Sequence, residues 1–223
     1  MCSSDLRCAG YAHRMKTLVH VVRHGEVENP DGILYGRQSD WHLSVRGREM
    51  AESVARWTHG RDIAAVISSP LERAQETALP IAKLHSLSVH TDPRLIEAAN
   101  IFEGKKFGVG ASKGVLLKPS AWRHLRNPWR PSWGEPYSEQ ISRMVAAIES
   151  ARELALEREA VCVSHQLPIW ILRSFVEKRP LIHDPRKRIC SLASVTTFIF
   201  STQGVIEGVE YAEPAAHLLR GKK

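Results

Sequence analysis

The feature that most limits what this chain can fold into is a repeated rhythm of short apolar runs separated by amphipathic stretches. Residues 17–22 are β-branched and apolar and end in Arg23-His24-Gly25; residues 64–67 stop at Ser68-Ser69-Pro70; residues 160–163 end in Ser164-His165-Gln166. Short continuous apolar runs bounded by polar or turn residues fit strands buried on both faces. Between them lie helical patterns. One starts at Ser44, a capping residue, with Met50, Val54 and Trp57 at helical spacing. A second covers about 71–85, where Pro80 is expected to kink or shorten it. A third begins at Ser138 with Ile141, Met144, Val145 and Ile148 on one face, and a fourth runs to Phe175. Residues 88–91 form a weaker strand pattern, and 194–200 with 204–211 read as a closing strand pair. The predicted fold is α/β, a three-layer sandwich around a mostly parallel central sheet.

Charge divides the chain differently. Lys and Arg number 31 against 24 Asp and Glu, a net +7 over 223 residues. Lys105, Lys106, Lys113, Lys118, Arg123, Arg126 and Arg130 account for the whole excess, because residues 104–134 contain no acid. Three of the six tryptophans, Trp122, Trp129 and Trp133, fall in the same region. We therefore read 98–137 as a basic, Trp-rich insertion within a single α/β domain spanning 15–212. Residues 1–14 are expected to be a loose extension, with Met15-Lys16 as the natural start, and 213–223 a C-terminal tail. A loop as long as the insertion is usually functional or disordered.

The composition excludes a disordered tail, a collagen-like fibre and a disulfide-stapled miniprotein. Cys2, Cys8, Cys162 and Cys190 include no C-x-x-C pair, so a zinc knuckle or thioredoxin-like site is not suggested. No run approaches the ~18 apolar residues that span a bilayer, and the first fourteen lack the apolar core of a secretory signal. A cytoplasmic setting is expected, with no metal, no cofactor, no membrane and no nucleic-acid partner. The oligomeric state is open.

Two of the apolar runs end in a histidine. In open α/β sheets ligands collect at the carboxyl ends of strands, so His24 and His165 are candidates to face one pocket. Arg23 precedes the first, and Arg73 lies in the first turn of the helix after Ser68-Ser69-Pro70, where a helix N-terminus already favours anions. Two guanidiniums and two imidazoles converging on one point suit a tetrahedral dianion such as phosphate.

These residues carry a family resemblance. Val21-Val22-Arg23-His24-Gly25-Glu26 resembles the signature of the histidine phosphatase superfamily (branch 1), which includes cofactor-dependent phosphoglycerate mutases. The segment from Ser68-Ser69-Pro70 through Arg73 to Ala78 is similar to its second element, Leu95-Ile96-Glu97 with Phe102-Glu103-Gly104 to its acidic element, and Val163-Ser164-His165 to its last. The resemblance implies that His24 attacks phosphorus to form a phosphohistidine, while Arg23, Arg73 and protonated His165 hold the phosphoryl oxygens. It makes Glu97 the proton donor to the leaving group, and then the base for water. Such an acid needs a raised pKa. Glu103 is a rival for that role, and Glu26, Ser69 and Gln166 are candidates to orient the site. In the family the segment after the acid caps the active site, so part of 105–133 is expected to border the pocket, with Arg123, Arg126 and Arg130 as anionic-substrate contacts. A charge run of this kind otherwise reads as a solvated face.

The sequence departs from the pattern in four places. Pro30 stands where the family often has Asn, and a one-residue slip makes Asn29 the substrate-binding candidate. Gln166 replaces a common glycine. Glu97-Ala98-Ala99 lacks the Arg and aromatic residue with which mutases typically continue, which counts against a mutase. Gly134-Glu135-Pro136 resembles a Gly-Glu-Ser element, and Arg143 follows where an arginine is expected. Arg37, after Tyr35-Gly36, either reaches substrate or closes a loop salt bridge. The expected activity is metal-independent hydrolysis of a small phosphorylated metabolite, with a mutase or related phosphotransferase as one alternative. A polyanion-binding module using 104–134 is another.

Overall fold

The computed structural model describes residues 16–101, 103–105 and 134–219. The 1–14 extension and Arg123, Arg126 and Arg130 of the expected cap lie outside the described residues. The element order is β1 (Thr17–Arg23), α1 (Val45–Thr58), β2 (Ile63–Ser68), α2 (Glu72–Leu84), β3 (Val89–Thr91), α3 (Tyr137–Leu154), β4 (Glu159–Ser164), α4 (Gln166–Val176), β5 (Val195–Phe200) and β6 (Ile206–Ala212). The six strands form one sheet in the order β3-β2-β4-β1-β5-β6. β3, β2, β4 and β1 are parallel, while β5 and β6 close the far edge antiparallel.

The alternation of side chains along each strand builds the three layers. Val19, Val21, Ala65, Ile67, Ala160 and Cys162 point to one face and pack with Met144, Ala147, Ile148 and Ala151 of α3 and Ile169 and Leu172 of α4. Val22, Val66, Val161 and Val163 point to the other and meet Met50, Val54 and Ala55 of α1 and Ala74, Ala78, Ile81 and Ala82 of α2. The continuous apolar runs read in the sequence are this double burial.

α2 runs past Pro80 to Leu84, so the expected shortening is not seen. The buried stripe of Ala74, Thr77, Ala78, Ile81 and Ala82 lies along the sheet on both sides of the proline, and this packing outweighs the lost backbone bond. The segment read as a tail is packed in its described part: Ala215 is 1% exposed and Leu218 and Leu219 lie against the α1/α2 core.

α1 is held against the end of β1 by backbone contact. Ser44 caps it, its Oγ accepting from Gly47 N at 3.0 Å while donating to Glu26 Oε1 at 3.0 Å. A Cβ on Gly47 would lie 1.9 Å from the carbonyl oxygen of Glu26, and one on Gly25 2.5 Å from that of Gly47. Glycine at both positions is what allows the helix to seat directly behind His24.

Candidate active site

The parallel register brings the strand ends level. Arg23 of β1 pairs with Ser164 of β4, so His24 and His165, one residue further on each, emerge side by side. Their ring centroids are 5.1 Å apart, close to the spacing of neighbouring strands. Ser68 of β2 pairs with Val163, which places Ser69 beside the same end, and its Oγ lies 2.8 Å from His165 Nε2. His24, His165, Ser69 and Arg73 are all buried, with 2% exposure or less.

His24 has a defined tautomer. Its Nδ1 is 2.8 Å from the carbonyl oxygen of Gly25. A carbonyl only accepts, so Nδ1 carries the proton and Nε2 keeps its lone pair. Burial, then the charges of Arg73 and Arg23, hold the imidazole well below the usual 6.5, and the ring is neutral at ordinary pH. Gly25 N donates to Thr77 Oγ1 of α2 at 3.1 Å, fixing the peptide that fixes the ring.

Arg73 is fully buried and held by the loop that follows Asn29. Its Nη2 donates to Gly36 O at 2.5 Å and its Nη1 to Gln38 O at 3.3 Å, and its guanidinium lies 4.7 Å from the centre of the Tyr35 ring. Arg23 donates to Cys190 O at 2.6 Å, and Gln166 Nε2 approaches the same oxygen at 3.4 Å. Nε of Arg23, Nε of Arg73 and Nδ1 of His165 are buried without a partner among the described residues. A buried polar atom left without a partner costs about 1–3 kcal/mol, so the two guanidiniums and the imidazole each retain capacity to bind an anion.

His165 differs in charge from the sequence expectation. Burial, then the neighbouring His24, Arg73, Arg143 and Arg23, hold it well below 6.5. The protein alone therefore favours the neutral ring, because two cations and a second imidazole already crowd the pocket. His165 Nε2 and the Ser69 hydroxyl share a hydrogen bond of 2.8 Å that leaves Nδ1 without a partner among the described residues.

Glu97 follows the short 3-10 turn Pro93–Leu95. Part of its surface remains accessible, but its surroundings are dense enough that burial raises its carboxyl above 4.5, against the opposing pull of Arg73, Arg23 and Arg188. One oxygen accepts from Ala98 N at 2.8 Å. Glu103, the rival acid, instead accepts from Asn100 N at 3.0 Å and packs over Gly36, where a Cβ would meet its side chain at 2.3 Å.

Several candidates are committed elsewhere. The Asn29 amide bonds Ile33 in both directions, at 2.8 and 2.9 Å, closing its own turn and keeping one N–H for a further partner. Arg37 donates to Glu97 O at 2.7 Å and to Glu135 Oε2 at 2.9 Å, the salt-bridge arrangement. Glu26 pairs with Arg46 and Ser44 at the start of α1. Sequence reasoning missed two residues. Tyr35 stands 6.3 Å from the His24 ring, and burial raises its hydroxyl above 10. Arg188 acts electrostatically on Glu97, Tyr137 and Arg23 while its Nε donates to His183 Nε2 at 2.7 Å. The only signal for Arg188 was a short basic run after Pro185, which reads like any exposed turn. Among the described residues no three His, Cys, Asp or Glu side chains are grouped as a metal site requires, and no helix is long and apolar enough to cross a membrane.

Comparison with known proteins agrees with this geometry. Residues 19–210 match the histidine phosphatase superfamily (branch 1). An uncharacterized protein of Mycobacterium tuberculosis is 54% identical over 201 residues, covering 90% of this chain and 98% of that one. A probable phosphoglycerate mutase, GpmB, of Proteus mirabilis is 32% identical over 184 residues, covering 79% and 83%. The solved structure of YhfR from Bacillus stearothermophilus superposes with a TM-score of 0.75 at 23% identity, covering 91% and 100%.

Proposed function

Since the chain belongs to branch 1 of the histidine phosphatase superfamily, we propose that it hydrolyses small phosphomonoesters through a phosphohistidine on His24. The observation that carries the reading is the proton on Nδ1 of His24, held by Gly25 O, which leaves Nε2 unprotonated in a pocket lined with unpartnered donors. Nε2 attacks phosphorus and the bond to the ester oxygen breaks. Glu97, whose carboxyl burial raises above 4.5, enters the cycle in its protonated form and gives its proton to the departing alkoxide. Its carboxylate then takes a proton from water, the hydroxide attacks phosphorus, and the P–N bond breaks to release inorganic phosphate. His24 and protonated Glu97 are restored. Arg23, Arg73 and His165 stabilise the charge on the phosphoryl oxygens throughout. A bound dianion raises the pKa of His165, so the imidazolium expected from the sequence belongs to the complex and not to the free protein. Arg188, which acts electrostatically on Glu97, would take a second anionic group on the leaving moiety.

The test is His24→Ala, with activity assayed on a panel of phosphorylated metabolites in excess EDTA. The wild type should release phosphate and the variant should lose at least three orders of magnitude. Hydrolysis by the variant at wild-type rate would sink the reading.

Kinship with a probable phosphoglycerate mutase keeps a second reading in view, in which the phosphohistidine passes its group to another substrate oxygen. Ala98-Ala99 after Glu97 weighs against it. Incubation with 3-phosphoglycerate separates the two: free phosphate identifies the hydrolase, an isomerised product the mutase.

A further inference from the structure

The segment that carries Glu97 is gripped at every backbone oxygen. Arg143 Nη1 donates to Arg94 O at 2.6 Å and to Ile96 O at 2.7 Å. Ser164 Oγ, one residue before His165, donates to Leu95 O at 2.7 Å. Arg37 Nε donates to Glu97 O at 2.7 Å. Four consecutive carbonyls thus accept from side chains rather than from a sheet or helix ladder, in a stretch that leaves the short 3-10 turn Pro93–Leu95.

Both arginines rest on one carboxylate. Arg143 meets Glu135 with Nε to Oε1 at 2.7 Å and Nη2 to Oε2 at 2.9 Å, and Arg37 Nη2 reaches the same Oε2 at 2.9 Å. Glu135 is 10% exposed and its own backbone is pinned, its N–H on Ala99 O at 3.1 Å and its carbonyl under Gln140 Nε2 at 2.9 Å. The neighbouring Gly134 bridges Asn100, and a Cβ there would stand 2.6 Å from Ala99 O. Glu135 is therefore fixed in the fold independently of the arginines, and the arginines are fixed by Glu135.

The geometry points to Glu135 as a positioning residue for the general acid, acting through Arg37 and Arg143 on the backbone of Glu97. This rests on the phosphohistidine reading above. A carboxylate suits the task because it accepts from both guanidinium forks at once and neutralises them, while each fork keeps donors for the carbonyls. Removing it leaves Arg143, only 14% exposed, as an unpaired cation, and frees Arg37 to leave Glu97 for solvent. The expected consequence is specific: the acid loses its placement, while the phosphate cradle, built from β1, β4 and α2, stays intact.

Leaving-group dependence tests this. kcat/KM reports the steps up to P–O cleavage, where an alkyl phosphate needs a proton and p-nitrophenyl phosphate scarcely does. Glu135→Gln should lower kcat/KM about 10–100-fold for an alkyl phosphate, the usual size of an outer-contact loss, and less than about threefold for p-nitrophenyl phosphate. The inhibition constant of inorganic phosphate should not change. In a Glu97→Gln background the Glu135 substitution should add little, since both act through one group. Arg37→Gln, at a half-exposed position that folds more safely, should give the same selectivity, with KM unaltered. Equal losses on both substrates, a weakened phosphate inhibition constant, or full additivity with Glu97→Gln would overturn the inference. A dead His24→Ala enzyme alongside any of those results leaves the phosphatase reading standing and removes only this one.

Discussion

His24 donates its Nδ1 proton to the carbonyl oxygen of its own neighbour, Gly25, 2.8 Å away. One local bond therefore decides which nitrogen meets phosphorus. Because burial and two guanidiniums also hold the ring well below 6.5, the nucleophile stays unprotonated as pH falls through 6.5. The acid limb of kcat/KM due to His24 should thus lie well below that value. Acid-quenched enzyme is the wrong assay; alkaline-quenched enzyme given labelled substrate should retain phosphate, and His24→Asn should retain none.

Stability should respond to the same burial. His24 and His165 bind fewer protons folded than unfolded, so each contributes stability that is lost as pH falls below about 6.5, by up to about 1.4 kcal/mol per pH unit. Glu97, with its folded pKa raised above 4.5, has the opposite sign: its contribution is complete below 4.5 and is lost as pH rises through the folded value. From about 4.5 up to its folded pKa it offsets part of the histidine slope. Thermal melting followed against pH should show a flatter slope for His24→Asn and a steeper one for Glu97→Gln. The reverse order would contradict these protonation states.

Gly47→Ala should destabilise by about 3 kcal/mol, the upper end of overpacking costs, because its Cβ meets the backbone oxygen of Glu26 and not a flexible side chain. Denaturant melts measure this. Since the displaced backbone leads straight to His24, kcat should fall even where the fold survives.

Arg188→Met should separate substrates. A charge-assisted contact to a second anionic group is worth about 1.5–3 kcal/mol, so KM should rise by about tenfold or more for a bis-anionic substrate and hardly move for p-nitrophenyl phosphate. Arg188 also pulls the Glu97 pKa down, so its removal should carry the basic limb of kcat/KM to higher pH. An unchanged limb and unchanged KM would place Arg188 outside the site.

Much of this arrangement was legible before any coordinates. The apolar runs became β1, β2 and β4 because only double burial tolerates Val21-Val22 or Val161-Cys162-Val163. Ser44 capped α1 as its side chain allows. Strand ends and resemblance single out Arg23, His24, Arg73, Glu97 and His165; Arg23, His24 and His165 lie at the carboxyl ends of the central strands, and Arg73 on the helix after β2. Counting along a motif singles out Asn29, and counting cannot see that Ile33, four residues on, takes one donor and one acceptor of its amide. Pro80 was weighed by local propensity, which knows nothing of the sheet beneath α2.

Local pattern determined what kind of residue stands at each strand end and in what order, since burial period, caps and turn chemistry are properties of neighbours in sequence. Tertiary structure alone decided the register that sets Arg23 opposite Ser164 and so puts two histidines 5.1 Å apart. It alone decided that Arg37, Arg143 and Ser164 close on the carbonyls before and at Glu97. Those contacts join segments tens of residues apart, and their energies depend on distances that no local pattern encodes.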